Sequence, residues 1–436
     1  MRLTIYPGPT PIFLLAFLSC SCVGAADGDL RVDGERLNAT MARMKTFGGN
    51  AEGGSDRIAF SQHNVDALGY LAELMRAAGL TTHTDFAGNL IGRREGSEPE
   101  LAPLVIGSHV DTVINGGHYD GIVGVMGAIE VAMTLNDAGV MLRHPLEVAV
   151  WTNEEAGKTG SRSMGGAVDE SELDLTALGD RTIGEGLRFL GGDPARLSEN
   201  EREPGSIAAY VELHVEQGAI LDREGIEIGV VDGIVGIRRW NITVDGFANH
   251  AGTTPMDRRQ DTLYAAARVI SAVRHIITGE PGRQVGTVGR IQAYPGAPNV
   301  IPGRTIFSLE IRDLDMEKIE RLFQRISRAA ETIAGETDTT ITIDQYYESP
   351  AAVSDTRITA IVAESAAKLG LSAQHMPSGA GHDAQSFKDI CPLGMIFVPS
   401  RDGVSHAPSE FTSAVQITNG ANVLLHTLIE MDRRLD

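Results

Sequence analysis

The chain has 436 residues, 42% of them hydrophobic, which is enough to bury one large core or two smaller ones. Its 58 acidic side chains outnumber the 37 basic ones and give a formal net charge of -21. Nucleic acid is therefore not expected as a partner, because phosphate binding requires a basic surface. The 50 glycines follow no three-residue period, which excludes a collagen-like fold.

The first 26 residues have the order of a secretory signal peptide. Met1 and Arg2 form a short charged end, Ile12 to Phe17 are apolar, and small residues lead to Ala26. The apolar run is too short to span a bilayer, so no membrane span is expected. We predict export, with the periplasm as the location; the alternative is a cytoplasmic protein with an irregular N-terminus.

The three cysteines are Cys20, Cys22 and Cys391. Cleavage near Ala26 would leave Cys391 alone, so an internal disulfide is not expected. Lipidation of Cys20 or Cys22 stays open, although the residues before each of them fit such a signal poorly.

Helical periodicity and short apolar runs alternate along the first half of the chain. The pattern predicts helices at 65–78 and 122–135, and strands at 104–106, 146–151 and 208–213. It resumes near the C-terminus with a helix at 358–369 and a strand at 395–398. Helices that alternate with buried strands predict an α/β fold with a mostly parallel sheet covered on both faces.

The segment 226–344 has a different pattern. Strands are predicted at 240–244, 285–291, 307–311 and 341–343, with helices at 263–277 and 319–333. The order β-α-β-β-α-β is that of a ferredoxin-like domain. We therefore predict a main α/β domain formed by residues 27–225 and 345–436, interrupted by an inserted α+β domain at 226–344. The glycine-rich stretch 184–205 is predicted to be irregular surface.

Candidate metal ligands stand at the ends of the predicted strands. His109 follows the strand at 104–106, where open α/β sheets form their sites, and Asp111 is expected to reach back to its second imidazole nitrogen. Asp120 lies in a glycine-rich loop. Glu154 and Glu155 follow the strand at 146–151; because adjacent side chains point in different directions, one is expected to bind a metal and the other to face a reacting water.

Two further histidines, His214 and His406, follow the strands predicted at 208–213 and 395–398. Imidazole and carboxylate ligands without thiolate suit Zn, Mn, Co or Ni. Each residue alone is weak support, because a histidine or acid near a strand end is more often an ordinary loop residue. Five such residues at one edge of one sheet point to a metal site.

These segments, together with further runs between Ser108 and Glu410, resemble the amidases of hydantoinase and carbamoylase type. That family includes N-carbamoyl-L-amino-acid hydrolases, beta-ureidopropionase and allantoate amidohydrolase, within the dinuclear metallopeptidase-fold enzymes. The runs that carry the resemblance are GSHVDTV, GGHYDGIVGV, WTNEE, ELHVEQG, ANHAGTTPMDRR, NVIPG, EIRD, SGAGHDA and MIFVPSRDGVSHAPSE.

The resemblance implies a catalytic domain of zinc-peptidase type that holds two divalent ions per subunit, zinc first, with manganese, cobalt or nickel as alternatives. One ion would be held by His109, Asp120 and His214. The other would be held by Asp120, Glu155 and His406, so that Asp120 bridges the two. Glu154 would be the general base, and Asp111 the residue that orients a ligand.

The resemblance also implies a small carboxylate substrate. Its contacts would be Gln217, His250, Asn299, Arg312 and the turn from Gly379 to His382, with Arg312 gripping the carboxylate. The inserted domain would act as a lid and form a homodimer in which His250 serves the neighbouring subunit. Taken without the resemblance, His250 fits a helix cap, Asn299 a turn and Arg312 a solvated strand position.

The expected activity is hydrolysis of a linear C-N bond in a ureido or carbamoyl group. N-carbamoyl amino acids, ureidopropionate and allantoate all stay open as substrates. One departure from the family bears on this choice: after Glu155 the chain reads Ala156 to Ser161, where the family has a Gly-Ala-Arg-Phe-like run. The alternatives are an exported aminopeptidase or aminoacylase on the same fold, and a catalytically silent binding protein.

Overall fold

The computed structural model describes residues 30–435, so the predicted signal segment with Cys20 and Cys22 lies outside the described residues. The helices of the described part are α1 (Gly34–Met44), α2 (Gln62–Ala77), α3 (Ile122–Asp137), α4 (Thr159–Ser163), α5 (Ile183–Phe189), α6 (Ile220–Glu224), α7 (Thr262–Thr278), α8 (Met316–Thr337), α9 (Thr356–Lys368) and α10 (Ala414–Arg434). None of the helices within residues 30–435 is both long and apolar enough to cross a membrane.

The strands are β1 (Thr81–Thr84), β2 (Leu90–Arg94), β3 (Leu104–His109), β4 (Leu146–Trp151), β5 (Ala209–Val215), β6 (Ile228–Ile234), β7 (Gly236–Asp245), β8 (Asn249–His250), β9 (Val285–Thr287), β10 (Ile291–Tyr294), β11 (Val300–Ile301), β12 (Arg304–Asp313), β13 (Thr340–Ser349), β14 (Ala352–Val353), β15 (Ala373–Ser378) and β16 (Leu393–Val398). They form a large sheet, a smaller antiparallel sheet and a two-stranded ribbon of β8 and β11.

The large sheet has the strand order β1-β2-β4-β3-β5-β16-β6-β14, with β15 also paired to β6. Its central strands β4, β3, β5 and β16 run parallel, and antiparallel pairs lie towards both edges. The predicted α/β fold with a mostly parallel sheet is confirmed. Because the central strands are parallel, the loops after their carboxyl ends meet at one edge, where such sheets form their sites.

Helices cover both faces of this sheet. α3 is apolar around nearly its whole circumference and contacts β3 and β5 on one side and α10 on the other, as expected of a helix inside a core. On the opposite face Trp151, Tyr210 and Phe387 form an aromatic cluster, in which the rings of Tyr210 and Phe387 stack at 4.3 Å. Buried cores on both faces explain why β3, β4 and β5 consist of buried residues from end to end.

The second sheet has the order β10-β12-β7-β13, with β9 paired to β12, and all its pairs are antiparallel. Helices α7 and α8 cover one face, where Trp240, Ile242 and Val244 alternate inward and Trp240 stacks on Phe323 at 4.4 Å. The predicted order of strands and helices is present, with one difference. The strand predicted at 285–291 is two short strands, β9 and β10.

The structure places the limits of this segment differently from the predicted range 226–344. β6 lies inside that range, but it pairs with β16, β15 and β14 of the large sheet. At the other end β13 continues to Ser349, still paired with β7. A strand is assigned by its hydrogen-bonded partners, which the local apolar pattern does not identify, so the second sheet spans Gly236 to Ser349.

The stretch predicted as irregular, 184–205, contains α5 and a 3-10 helix at Pro194–Asn200. α5 begins with a capping box in which Thr182 accepts from the amide of Glu185 and the Glu185 side chain accepts from the amide of Thr182. Ile183 and Leu187 bury this short helix against Phe60. Two apolar residues and a cap were sufficient for a helix despite the glycines.

Candidate metal centre

The five predicted ligands meet at the carboxyl edge of the large sheet. His109 is the last residue of β3, His214 lies in β5, and both are almost completely buried. Asp120 precedes Gly121, the residue before α3. Glu155 follows β4, and His406 lies in the loop between β16 and α10.

Asp120 lies between two groups of side chains and presents one carboxylate oxygen to each. Its Oδ1 is 3.5 Å from Nε2 of His109 and 3.1 Å from Nε2 of His214. Its Oδ2 is 3.2 Å from Nε2 of His406, which is 3.4 Å from Oε2 of Glu155. The two groups, each able to surround an ion, are therefore His109-Asp120-His214 and Asp120-Glu155-His406.

The donor atoms of both groups fit a divalent ion. Ligand atoms that each lie about 2 Å from a tetrahedral ion are roughly 3.3 Å from one another, and the separations above agree with that value. Nδ1 of His109 lies 3.1 Å from a backbone carbonyl oxygen, and Nδ1 of His214 lies 2.9 Å from another. Each Nδ1 can therefore donate its proton to a carbonyl, which leaves Nε2 as the ligand atom.

Glu154 lies beside the first group. Its Oε2 is 3.8 Å from Nε2 of His109, and it belongs to neither of the two groups. Burial raises the pKa of this carboxyl, while the positive charges of His109 and Lys158 act in the opposite direction. A buried carboxylate with a raised pKa beside two ligand groups has the properties of a general base.

Asp111 does not make the contact predicted from the sequence. Its backbone oxygen lies 3.1 Å from Nδ1 of His109, whereas its carboxylate is 3.9 Å away and too distant for a hydrogen bond. The carboxylate instead accepts from the backbone amides of Glu154 and Glu155, at 3.3 and 3.2 Å. The carbonyl is closer because the chain turns after β3, which the two-residue spacing alone does not reveal. Asp111 thus orients the Glu154-Glu155 segment.

The charges of the cluster shift several pKa values. Burial opposes ionisation of Asp120, but the surrounding imidazoles of His214, His109 and His406 hold its pKa well below the ordinary range. Burial and then the charge of Asp120 raise the pKa of Glu155 to about 8. The hydrogen bond to Asp120 raises the pKa of His406 to about 9, although its partial burial acts in the opposite direction. The cluster thus concentrates carboxylates in a small volume, an arrangement that a divalent ion stabilises.

Glu410 supports the centre, although it was not among the residues predicted from the sequence. Its Oε2 accepts from the amides of Tyr119 and Asp120, at 2.8 and 3.2 Å, and its Oε1 accepts from the Ser405 hydroxyl at 2.8 Å. One carboxylate therefore joins the loop of Asp120 to the loop of His406. A side chain at Gly117 would collide with Glu410, since its Cβ would lie 1.8 Å from Oε2. The sequence did offer one sign of this residue, because Glu410 is the acid that ends the run SHAPSE around His406.

Gln217 and His382 lie next to the ligand groups. Gln217 has a positive φ of 58° and donates from Nε2 to Oδ2 of Asp120 at 2.6 Å. His382 is buried, and its ring packs edge-on against that of His214 at 4.4 Å. Burial and the charge of His214 hold the pKa of His382 well below its usual value, so His382 faces the site as a neutral imidazole.

Arg312, on β12 of the second sheet, contacts the large-sheet part of the chain. Its Nη1 donates to the carbonyl of Gly379 at 2.7 Å, and its Nε donates to Glu310 at 2.7 Å. Among residues 30–435, Nη2 has no hydrogen-bond partner. Arg312 thus borders the turn from Gly379 to His382, and Nη2 remains available to a ligand.

His250 and Asn299 lie together but apart from the ligand groups. The ribbon of β8 and β11 pairs His250 with Val300, and the amide of Ala251 donates to the Asn299 carbonyl at 2.9 Å. Nδ1 of His250 accepts from the amides of Gly252 and Thr253, at 3.0 and 3.2 Å, so it caps a turn. Both side chains are exposed, and within this one chain no recorded polar contact joins either of them to the described ligand residues.

Comparison with known proteins identifies the family. A sequence profile of peptidase family M20/M25/M40 matches residues 105–430, a range that includes all five ligand residues. The chain belongs to this family. Members of peptidase family M20 are metal-dependent hydrolases that use two ions, and the two groups around Asp120 provide candidate ligands for both.

Individual relatives of this M20 chain are similar over nearly its whole length. An N-carbamoyl-L-amino acid amidohydrolase of Geobacillus stearothermophilus is 40% identical over 406 residues, covering 92% of this chain and 99% of the relative. An allantoate amidohydrolase of Bacillus subtilis is 35% identical, covering 89% and 95%. The crystal structure of a hydantoinase/carbamoylase family amidase from Burkholderia multivorans matches with a TM-score of 0.85 at 34% identity, covering 92% and 98%. The resemblance seen in the sequence is confirmed.

Proposed function

We propose that this M20 hydrolase cleaves the linear C-N bond of a ureido or carbamoyl group attached to a small carboxylate-bearing molecule. The observation that carries the proposal is the bridging position of Asp120 between two ligand groups, with Glu154 beside them. The names of the relatives support the choice of bond, since those proteins are amidohydrolases of N-carbamoyl amino acids and of allantoate.

His109, Asp120 and His214 would hold one ion, and Asp120, Glu155 and His406 the other. Bound divalent ions supply Lewis acidity, which polarises a carbonyl and lowers the pKa of water. Zinc is the ion we propose, since imidazole and carboxylate ligands suit it; manganese, cobalt and nickel are the alternatives. Asp111 holds the backbone of Glu154 and Glu155 by two hydrogen bonds, which keeps the base and the ligand in a fixed relation.

Glu154 would take a proton from the attacking water and deliver it to the departing nitrogen. Its burial favours the protonated form after that transfer, since burial raises its pKa. Arg312 would bind the carboxylate of the substrate through Nη2, while Glu310 and the Gly379 carbonyl fix the guanidinium plane. Ammonia is released, with carbon dioxide when the group cleaved is a terminal carbamoyl.

The lid role predicted for 226–344 is proposed here for the second sheet and its helices, Gly236 to Ser349, and a homodimer belongs to the same proposal. The exposure of His250 and Asn299 supports it, because both matched substrate residues face solvent in the single chain. Nδ1 of His250 is already occupied by two amides, so Nε2 is the atom that could donate to a developing oxyanion across a subunit boundary. A periplasmic location, from the signal-like first 26 residues, is likewise proposed.

One panel of substrates tests the function. Purified protein would be assayed for ammonia release from N-carbamoyl-L-amino acids, ureidopropionate and allantoate. As the competing class, dipeptides and N-acyl amino acids would be assayed for release of the free amino acid. Each assay would be run after chelation and again after adding back Zn²⁺ or Mn²⁺. We expect metal-dependent ammonia release from at least one ureido compound. Turnover of dipeptides alone would contradict the proposal, and light scattering of the same sample would test the dimer.

A further inference from the structure

Lys158 stands in the loop where the chain departs from its family, directly after Glu154 and Glu155. Its amide donates to the Glu154 carbonyl at 3.1 Å, which ties this lysine to the candidate base. Its φ of 56° lies in the left-handed region, which disfavours residues other than glycine, and such positions cluster at functional sites. The ammonium of Lys158 interacts electrostatically with both Glu154 and His382, so it is near the candidate centre.

No carboxylate within residues 30–435 forms a close ion pair with the ammonium, since its interaction with Glu154 acts over a longer distance than a salt bridge. Within the described part of the chain the ammonium donates one hydrogen bond, to Oε1 of Gln385 at 2.6 Å. Gln385 is held in turn, because its Nε2 donates to the Ser349 hydroxyl at 3.1 Å and to the Pro350 carbonyl at 2.8 Å. Lysine carries three donors, so two of them remain for a ligand.

A cavity of about 780 Å³ opens beside Lys158, between the loop from Gly157 and the end of β13. The other cations that line it have carboxylate partners: Arg162 with Glu172, Arg202 with Glu147, and Lys388 with Asp389. Of the cations that line the cavity, Lys158 is thus the one that forms no ion pair with a carboxylate of the described residues. Glu201 and Glu203 also line the cavity, so an anion is attracted only where it reaches Lys158.

Lys158 and Arg312 approach the same turn. Arg312 donates to the carbonyl of Gly379, and Nζ of Lys158 is 3.1 Å from the position that a Cβ on Gly381 would take. Two residues span at most about 7 Å, so the two cations border one small region. The carboxylates of an amino diacid are separated by three or four carbon-carbon bonds of about 1.5 Å, so with a hydrogen bond at each end they can reach both cations.

We propose that Lys158 binds a second acidic group of the substrate, so that the enzyme prefers dianionic ureido acids such as N-carbamoyl-L-aspartate and N-carbamoyl-L-glutamate. Arg312 takes the α-carboxylate and Lys158 the side-chain carboxylate, with the Gly379 to His382 turn between them. The inference rests on the proposed function and names the substrate class of the same site. The absence of a side chain at Gly381 leaves room for the ammonium at this turn.

The test compares each acid with its neutral amide, N-carbamoyl-L-asparagine and N-carbamoyl-L-glutamine, on the metal-loaded full chain. We expect kcat/KM to favour at least one acid over its amide by about 10-fold or more, the size of effect that a charged hydrogen bond gives. Lys158→Gln should reduce this acid-to-amide ratio about 10-fold to 100-fold, mainly through KM, and Lys158→Arg should retain most of it. Lys388→Gln, which removes a paired cation of the same cavity, should leave the ratio as it is.

A wild-type enzyme that hydrolyses amides as well as acids would overturn this inference and leave the proposed function standing. Hydrolysis of no ureido compound at all would overturn both. If Lys158→Gln does not fold, inhibition of the wild type by the products decides instead: L-aspartate or L-glutamate should inhibit at lower concentration than L-asparagine or L-glutamine. Equal inhibition by acid and amide would contradict the role of Lys158.

Discussion

The backbone carbonyl of Asp111 lies at hydrogen-bond distance from Nδ1 of His109, while the carboxylate of Asp111 accepts from the amides of Glu154 and Glu155. One residue therefore supports β3 with its main chain and the segment after β4 with its side chain. Loss of the carboxylate should disturb the second ligand group and spare the first.

Asp111→Asn tests this division. The two backbone amides donate to different oxygens of Asp111, and asparagine replaces one of these oxygens with an NH2 donor, so the segment carrying Glu155 loses one hydrogen bond. We expect the ion at Glu155 and His406 to bind about 10-fold to 100-fold more weakly, as is typical when a residue behind a ligand is changed. The ion at His109 and His214 should bind with unchanged affinity. Metal titration by calorimetry would resolve the binding of the two ions as two steps. Equal weakening of both steps would contradict the division.

Replacement of Asp120 and replacement of His406 should differ in the number of metal ions lost. Asp120 presents an oxygen to each group, so Asp120→Ala should abolish both ions, whereas His406→Ala should weaken mainly the ion shared with Glu155. Elemental analysis after dialysis would give the number of ions per chain. An Asp120→Ala protein that still returned two ions would refute the bridging role.

Replacement of Glu154 should slow the chemical step and leave metal binding unchanged. Glu154→Gln keeps the shape of the side chain but cannot take a proton, so we expect kcat to fall by about 10²-fold to 10⁴-fold. Metal content and KM should stay near the wild-type values, since Glu154 belongs to neither ligand group. Glu155→Gln is the matched comparison one residue along, and it should lose metal. A Glu154→Gln enzyme with near-normal turnover would exclude the proposed base.

The metal-free protein should lose stability as the pH rises. The folded state raises the pKa of Glu155 to about 8 and that of His406 to about 9. Glu155 therefore holds more protons in the folded than in the unfolded state between about pH 4.5 and 8, and His406 does so between about pH 6.5 and 9. The free energy of unfolding falls across these two overlapping windows as the pH rises. Thermal unfolding of chelated protein should show a midpoint that decreases from pH 5 to 9. Glu155→Gln should flatten the part below pH 8, and a midpoint that rises with pH would contradict the shifts.

Arg312→Lys should weaken the binding of carboxylate substrates selectively. The guanidinium is fixed by Glu310 and the Gly379 carbonyl, an arrangement that a lysine cannot reproduce while also reaching a substrate. We expect KM to rise by a factor that corresponds to about 1.5 to 3 kcal/mol, the value of a charge-assisted hydrogen bond. A substrate amide that lacks the carboxylate should be affected much less. Equal losses on both substrates would assign Arg312 a structural role.

The sequence predicted the architecture where residues act locally. Alternation in β7 and the apolar runs of β3 and β4 are patterns along one strand, so all three strands were predicted; β4 was predicted from end to end, whereas the predicted ranges 104–106 and 240–244 cover half of β3 and half of β7. Placing His109 and His214 at strand ends also predicted that they would lie close together, because parallel strands share an edge.

What the sequence did not predict depends on contacts between distant segments. β6 belongs to the large sheet because of its partners, β14, β15 and β16. Asp111 was expected to contact His109 through its carboxylate, but the turn after β3 directs that group to Glu154 and Glu155. Glu410 joins two loops separated by almost the length of the catalytic part, and Lys158 was seen only as a departure from the family. Each of these roles depends on a contact partner that cannot be identified from the neighbouring residues in the sequence.

The way in which the chain enters and leaves the second sheet has a mechanical consequence. Ile234 at the end of β6 pairs with Ala352 of β14, and three positions further along each strand connection Ile237 of β7 pairs with Ser349 of β13. In topological terms β6 and β14 are the arms of one hairpin, and the whole second sheet takes the place of its turn. Two antiparallel connections that lie side by side can bend together but resist sliding past each other, since sliding would break the ladder on both sides of the junction. Any movement that carries Arg312 towards or away from the metal ligands should therefore be a rotation about a single axis.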